Sequence, residues 1–166
     1  MNIRIEARSK KHNRKGFHCG EPELDKWFEG RSGQDDRRNV ARVFVALDDE
    51  GIVGFYSLSM FTLALDDLPT KLSRKLPNYQ SIPAALIGRL ARHERARSCG
   101  IGELLVADAI SRVLSAAATV AAYAIVVDAK HARAASFYET FGFIAFPSKK
   151  NRLFLLCDVA RAAITK

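Results

Sequence analysis

The run Arg97-Ser98-Cys99-Gly100-Ile101-Gly102 separates two segments of different pattern. Ala84–Ala91 before it is mostly apolar, which predicts a buried strand, and Glu103–Ala117 after it carries apolar residues at helical spacing. Two glycines at a strand-to-helix junction let a ligand approach the backbone, and the free N–H groups at a helix start attract an anion. The run therefore predicts a phosphate-binding loop. A tight turn that uses glycine only for backbone freedom is the alternative.

Positive charge beside the glycines favours the phosphate interpretation. Arg95 and Arg97 would suit a pyrophosphate group. Two other phosphate loops are excluded by the sequence. The dinucleotide fingerprint requires a third glycine where Leu105 stands, and the Gly-Lys-Ser/Thr of the Walker loop is absent.

The segments on either side of this junction alternate between strand and helix patterns. The predicted strands are Val40–Leu47, Ile52–Ser59, Ala121–Val127, Phe143–Phe146 and Leu153–Cys157, and the further predicted helices are Pro22–Phe28 and Ala132–Thr140. Asp48–Gly51 is a hairpin turn between the first two strands, and Pro147–Arg152 is a loop between the last two. The order predicts an α/β fold with a mixed central sheet flanked by helices.

Length and composition indicate one globular domain over residues 1–166, with 48% hydrophobic and 27% charged residues. No apolar run reaches the roughly 18 residues of a membrane span, so we expect a cytoplasmic protein without a membrane partner. Cys19, Cys99 and Cys157 lack CxxC spacing, so neither a disulfide framework nor a metal site is predicted. The net charge of +8 favours a polyanionic partner such as nucleic acid or a phosphate-rich cofactor.

A second motif lies in Ser136-Phe137-Tyr138-Glu139-Thr140-Phe141-Gly142-Phe143. Tyr138 falls near the end of a predicted helix, and Gly142 is placed to end that helix before the next strand. The neighbouring phenylalanines are predicted core residues. Taken alone, Tyr138 is either one more core residue or a functional group.

The two motifs together resemble motifs A and B of the GNAT acetyltransferase superfamily. Arg97, Gly100 and Gly102 match the Arg/Gln-x-x-Gly-x-Gly/Ala loop, and Tyr138 with Gly142 matches the second motif. The resemblance implies the GNAT fold, acetyl-CoA as co-substrate and Tyr138 as the general acid that protonates the CoA thiolate. The cofactor-binding residues that it implies are Leu90, Ala91, Arg95, Arg97, Ser98, Cys99, Gly100, Ile101 and Gly102.

A closer resemblance, from about Cys19 to Cys157, is to the GNAT toxins of bacterial toxin–antitoxin modules. It rests on Cys19-Gly20, Leu24–Trp27, Ala41–Val45, Gly54–Leu58, Ile82-Pro83 and Arg89–Ala91. Such toxins acetylate the α-amine of aminoacyl-tRNA and block translation, and a ribbon-helix-helix antitoxin neutralises them. A homodimer is one assembly that the resemblance allows. The chain departs from the toxins at Arg92-His93, where they often have Val-Asp, and at Ser98, where they commonly have glycine.

The sequence says less about the amine that accepts the acetyl group than about the cofactor. Ala84–Ala91 has no carboxylate to act as a base, which favours an α-amine of pKa about 7.7–8.0 over a lysine amine of about 10.4. Arg31, Arg37, Arg38 and Arg92 are candidate tRNA contacts, with a solvated basic surface as the alternative. Acetylation of a small amine or a protein N-terminus, and a non-catalytic RNA-binding module of the same fold, are the competing functions.

Overall fold

A computed structural model of the chain describes residues 2–76 and 78–164. Within them are seven strands and six α-helices. The strands are β1 Arg4–Ala7, β2 Arg42–Asp48, β3 Gly51–Ala64, β4 Ser81–Arg92, β5 Ala124–Asp128, β6 Ile144–Phe146 and β7 Lys149–Leu156. The helices are α1 Pro22–Gly30, α2 Ser32–Arg37, α3 Thr70–Ser73, α4 Ile101–Ala117, α5 Ala132–Glu139 and α6 Cys157–Ile164.

The strands form one mixed sheet in the order β1-β2-β3-β4-β5-β7-β6. The β1/β2, β2/β3, β5/β7 and β6/β7 pairs are antiparallel. The β4/β5 pair is parallel, with Ala84–Ile87 opposite Ala124–Val127. A parallel pair needs a crossover connection, and α4 lies in the connection between these two strands. The predicted α/β fold with a mixed sheet is confirmed.

The described chain divides into two compact units. The first unit contains the residues up to Ser59 together with Gly88–Ala109, and the second contains Met60–Ile87 together with 110–164. The expectation of one domain over residues 1–166 stays a prediction.

The first unit has a core that combines aromatic and aliphatic side chains. α1 begins with Pro22 in its first turn, where a missing N–H costs nothing, and buries Leu24, Trp27 and Phe28 on one face. The Phe28 and Phe55 rings stack at 4.1 Å between centroids, which attaches α1 to β3. The Trp27 indole N–H donates to Asp35 Oδ2 at 2.9 Å, so the one polar atom of that ring is satisfied.

The second unit has its own core. Its members come from β3, β4, β5, β6 and β7 and from the Leu65–Leu68 segment, and they include Leu63, Ile82, Val126, Phe146 and Phe154. β5 is buried along Ala124–Val127, which explains its continuous apolar sequence. α5 and α6 both contact β7.

The sequence mispredicted three local features. α2 lies in a polar stretch, Ser32–Arg37, that has no apolar periodicity to predict a helix. Lys149–Arg152 was predicted as loop but begins β7, with Phe146 already paired to Lys149. Cys157 was predicted to end a strand but begins α6, a short amphipathic helix that buries Cys157 and Ala160.

Candidate active site

The turn between β2 and β3 holds the Arg95 side chain. Asp48 Oδ1 accepts from the backbone N–H groups of Glu50 at 2.9 Å and Gly51 at 3.1 Å. Arg95 Nη1 donates to Asp48 Oδ2 at 2.8 Å and Nη2 donates to Oδ1 at 2.9 Å, while Glu50 accepts a further bond at 3.0 Å. These bonds hold the pKa of Asp48 down at about 2. The charge of Arg95 is therefore already compensated by two carboxylates, and its cofactor role stays a prediction.

His93 anchors the segment that leads into the loop of residues 97–102, the glycine loop. Its backbone N–H donates to Val53 O at 2.7 Å, and its Nδ1 accepts from Arg95 N at 3.1 Å, which begins the short 3₁₀ helix Glu94–Ala96. The Phe17 ring contacts the imidazole edge to face, at 5.2 Å between centroids. Burial, and then the charge of Arg95, lower the pKa of His93 and so disfavour the charged form of the ring. Sequence reasoning assigned no role to His93.

The glycine loop has an unusual backbone. Ser98 and Gly100 both lie in the left-handed region, with φ of 64° and 75°. The backbone of Ser98 is strained in this region, whereas a glycine would not be. The glycine that the toxins commonly have at this position would therefore remove the strain. Backbone turns of this kind direct N–H groups into anion-binding concavities.

The side chains of the loop differ in accessibility. Cys99 is exposed and Ile101 is fully buried, so Ile101 offers only its backbone to a ligand. The Arg97 guanidinium is exposed and bonded to Glu94 Oε2 at 2.9 Å. Such a surface pair is weak, so Arg97 is free to exchange Glu94 for a stronger anion.

Gly54 on β3 determines how closely α4 approaches the sheet. A methyl group on Gly54 would lie 2.9 Å from Leu105 Cδ1, 3.0 Å from Ala91 O and 3.1 Å from Ile101 Cγ2. Only glycine permits this contact between β3, the end of β4 and the first turn of α4. Sequence reasoning missed this role, because no local pattern relates Gly54 to residues 37 and more positions later.

The end of β4 carries the remaining candidates of the first unit. Leu90 is half-buried and Ala91 is buried. Arg92 has a buried Nη1 that, within the described residues, forms no hydrogen bond. An unpaired buried guanidinium nitrogen is costly, and a ligand acceptor would satisfy it. Arg31, Arg37 and Arg38, which flank and end α2, are all exposed.

Tyr138 belongs to the second unit, in α5. His131 begins this helix by accepting from Ala134 N at 3.2 Å, and Gly142, with φ of 96°, follows its end. The Tyr138 ring is 8% exposed and contacts Phe137 and Phe143 edge to face. Burial raises its pKa to about 12, so the hydroxyl keeps its proton throughout the physiological range.

Residues 2–76 and 78–164 contain no cluster of three or more His, Cys, Asp or Glu side chains that could hold a metal ion. In the same part of the chain, no helix combines the length and the apolarity that crossing a membrane requires.

Comparison with known families identifies the class of protein. Residues 39–145 match the model of the acetyltransferase (GNAT) domain. The chain belongs to this family and is an N-acetyltransferase.

Several individual proteins are similar to this chain over most of its length. The chain is 36% identical, over 148 residues, to the tRNA-acetylating toxin of Mycobacterium tuberculosis, covering 89% of this chain and 88% of that one. Among solved structures, AtaT complexed with acetyl-methionyl-tRNAfMet matches with a TM-score of 0.90 and 26% identity, over 98% of this chain and 99% of that one. AtaTR bound with AcCoA matches with a TM-score of 0.85 and 27% identity, over 98% of each chain.

Proposed function

We propose that this chain is an acetyl-CoA-dependent toxin that acetylates the α-amine of aminoacyl-tRNA and so blocks translation. The observation that carries the proposal is the likeness to a tRNA-acetylating toxin over about nine-tenths of both chains. The structural neighbour complexed with acetyl-methionyl-tRNA supports the same substrate class.

The glycine loop is the proposed site of the cofactor pyrophosphate. The left-handed residues Ser98 and Gly100 fit an anion, Cys99 between them is exposed, and Ile101 and Gly102 continue the loop into α4. Arg97 would contribute charge, while Arg95 would act through the β2–β3 turn that it holds. Leu90 and Ala91 would bind the pantetheine through their backbone. Acetyl-CoA supplies the thioester whose acetyl group is transferred.

Tyr138 is the proposed general acid. A phenol with a pKa of about 12 stays protonated at neutral pH and has a proton to give to a departing thiolate. β4 contains no Asp or Glu along Ser81–Arg92, so it offers no carboxylate base to the acceptor. An α-amine is partly neutral at pH 7 and needs such a base less than a lysine does.

The basic surface of the first unit is the proposed tRNA contact. Arg31, Arg37 and Arg38 are exposed around α2, and Arg92 has a buried nitrogen without a hydrogen-bond partner among the described residues. Arginine binds phosphate with two parallel hydrogen bonds, and the net charge of +8 favours a polyanion over a small amine.

The proposal extends to partners and location. A toxin with this charge requires an inhibitor, and a ribbon-helix-helix antitoxin with an acidic tail would meet that need. We further propose that the chain works in the cytoplasm as a single domain and that it forms a homodimer.

Expression alone should arrest growth, and co-expression of the antitoxin should relieve the arrest. Light scattering of the purified toxin should give twice the mass of one chain.

The decisive experiment is incubation with labelled acetyl-CoA and total charged tRNA, followed by identification of the acetylated amino acid. Label on the α-amino group of the aminoacyl moiety supports the proposal. Label transferred only to polyamines or protein N-termini would overturn the substrate assignment and leave the acetyltransferase class intact. Deacylated tRNA is the control, because it lacks the acceptor amine.

A further inference from the structure

Two guanidinium groups of the first unit converge above one glycine. Gly33 lies in α2, and a methyl group on its Cα would lie 3.0 Å from Arg14 Nη2 and 3.2 Å from Arg37 Nη1. Both nitrogens thus border the space that a side chain at this position would fill. We call this feature, formed by Arg14, Gly33 and Arg37, the arginine notch.

Arg14 is held in place by the chain itself. Its Nη1 donates to Phe28 O at 2.8 Å and to Ser32 Oγ at 2.5 Å, which fixes the guanidinium at the junction of α1 and α2. Nη2 remains directed over Gly33. Burial, and then the positive charges of Arg8 and Arg37, lower the pKa of Arg14. The two notch arginines therefore repel each other in a partly desolvated place.

The nearby carboxylates are engaged elsewhere. Asp36 accepts from Arg8 Nε at 3.1 Å and from Arg42 Nη1 at 2.8 Å, and Asp35 accepts from Trp27. Glu29 stabilises the charge of Arg14, but its effect is smaller than that of Arg8 or Arg37. Within the described residues, neither Arg14 nor Arg37 forms an ion pair with a carboxylate. The notch thus holds two positive charges, and no carboxylate of the described residues is bonded to either of them.

We infer that the arginine notch is a phosphate-binding site that takes one backbone phosphate of the polynucleotide substrate. A tetrahedral phosphate offers several oxygens and accepts from both guanidinium groups at once, which turns their mutual repulsion into attraction. The glycine is needed because a side chain would occupy the place of the anion. The inference rests on the proposed tRNA substrate and adds to it Arg14 and Gly33, with one bound phosphate as their ligand.

Two substitutions test the notch through different physical effects. Gly33→Ala keeps the net charge but places a methyl group between the guanidinium groups, and Arg37→Gln removes one of them. Binding of fluorescein-labelled deacylated tRNA, measured by anisotropy between 50 and 200 mM salt, is the readout. Arg37→Gln should weaken binding by about three- to tenfold and reduce the slope of log K against log salt by about one unit. Gly33→Ala should weaken binding at least about twofold at 100 mM salt.

Two control substitutions separate the loss of the notch from the general effects of helix propensity and of net charge. Gly30→Ala makes the same change in α1, where an added methyl group meets nothing within 4 Å. Lys71→Gln removes one exposed positive charge from α3. Both should bind tRNA within about twofold of the unmodified protein. Wild-type binding by both Gly33→Ala and Arg37→Gln, with folding verified by circular dichroism, would overturn the inference.

A second arm separates a polynucleotide phosphate from a free one. Titration with inorganic phosphate at constant ionic strength is followed by calorimetry for the unmodified protein and Arg37→Gln. If phosphate binds and the substitution abolishes that binding while tRNA affinity is unchanged, the site serves a free phosphate and the inference is wrong. Because deacylated tRNA and phosphate are the probes, the result is independent of acetylation. Failure to acetylate charged tRNA would remove the proposed function and leave the notch test standing.

Discussion

Arg95 and Asp48, 47 positions apart, form a two-point ion pair with N–O distances of 2.8 and 2.9 Å. The pair joins the β2–β3 turn to the segment that enters the glycine loop. The Asp48 side chain is 9% exposed and that of Arg95 30%, so the pair is shielded more than a surface salt bridge. The loop geometry consequently depends on an ionisable group outside the loop.

The ion pair between Arg95 and Asp48 should make the free energy of unfolding depend on pH in the acid range. The pKa of Asp48 is about 2 in the folded chain and about 3.9 when unfolded, so its contribution is complete above about pH 4 and is lost as the pH falls toward 2. Asp48→Asn should lower the free energy of unfolding by about 1–3 kcal/mol at pH 7. The difference from the unmodified protein should shrink between pH 4 and 2 in urea titrations. Asp49→Asn, on the exposed part of the same turn, is the control; equal effects of the two variants would refute the role of the pair.

Gly54→Ala should disturb the glycine loop through the close contact of Gly54 with the end of β4 and the first turn of α4. The added methyl group would meet Ala91 O at 3.0 Å, and backbone cannot rotate away as a side chain can. We expect a loss of about 1–3 kcal/mol of stability and weaker acetyl-CoA binding by calorimetry. Gly30→Ala, in open space, should leave both unchanged or slightly raise stability. Unaltered stability of Gly54→Ala would show that α4 does not depend on this close approach.

Gly100→Asp should abolish acetyl-CoA binding, because it adds a negative charge where the pyrophosphate is proposed to lie. The backbone strain of the change needs its own control. Gly16 has the same φ of 75° and open space around it, so Gly16→Asp imposes a similar conformational cost at a remote position. Calorimetry should show binding lost in the first variant and retained in the second. Retained affinity in a folded Gly100→Asp protein would exclude the loop as the phosphate site.

Tyr138→Phe should separate catalysis from folding. The ring and its edge contacts with Phe137 and Phe143 remain, so the melting temperature should change little. Turnover should fall by about 10²–10⁴-fold with acetyl-CoA affinity unchanged. Tyr123 is a partly buried tyrosine of the second unit, and Tyr123→Phe is the matched control that should retain activity. Near-normal turnover of Tyr138→Phe would mean that another group protonates the thiolate.

Salt dependence should distinguish a tRNA substrate from a small amine. If three arginines contact phosphates, the slope of log K against log salt should be about −2 to −3 for charged tRNA. The double reversal Arg37→Glu and Arg38→Glu should flatten that slope and raise KM for tRNA, without changing acetyl-CoA affinity. KM measured at 50 and 200 mM salt for both proteins is sufficient. If the KM of the unmodified protein for charged tRNA does not change between the two salt concentrations, the tRNA assignment is wrong.

Much of the fold could be predicted because its signals are local. The apolar run of β5, the amphipathic pattern of α4 and the Asp48–Gly51 turn each depend on neighbours within a few residues. α2 could not be predicted in this way. It is held by contacts across the chain, among them Arg14 to Ser32 and Trp27 to Asp35, rather than by its own six residues.

The candidate site shows the same division. By itself the sequence determined the family, because the spacing of Arg97, Gly100 and Gly102 and of Tyr138 and Gly142 is local and chemically specific. Only the tertiary structure decided that Arg95 is paired with Asp48, that Gly54 must lack a side chain and that Arg14 meets Arg37 over Gly33. These are contacts between residues far apart in the chain. Their geometry depends on how strands and helices pack, which no local pattern of residues encodes.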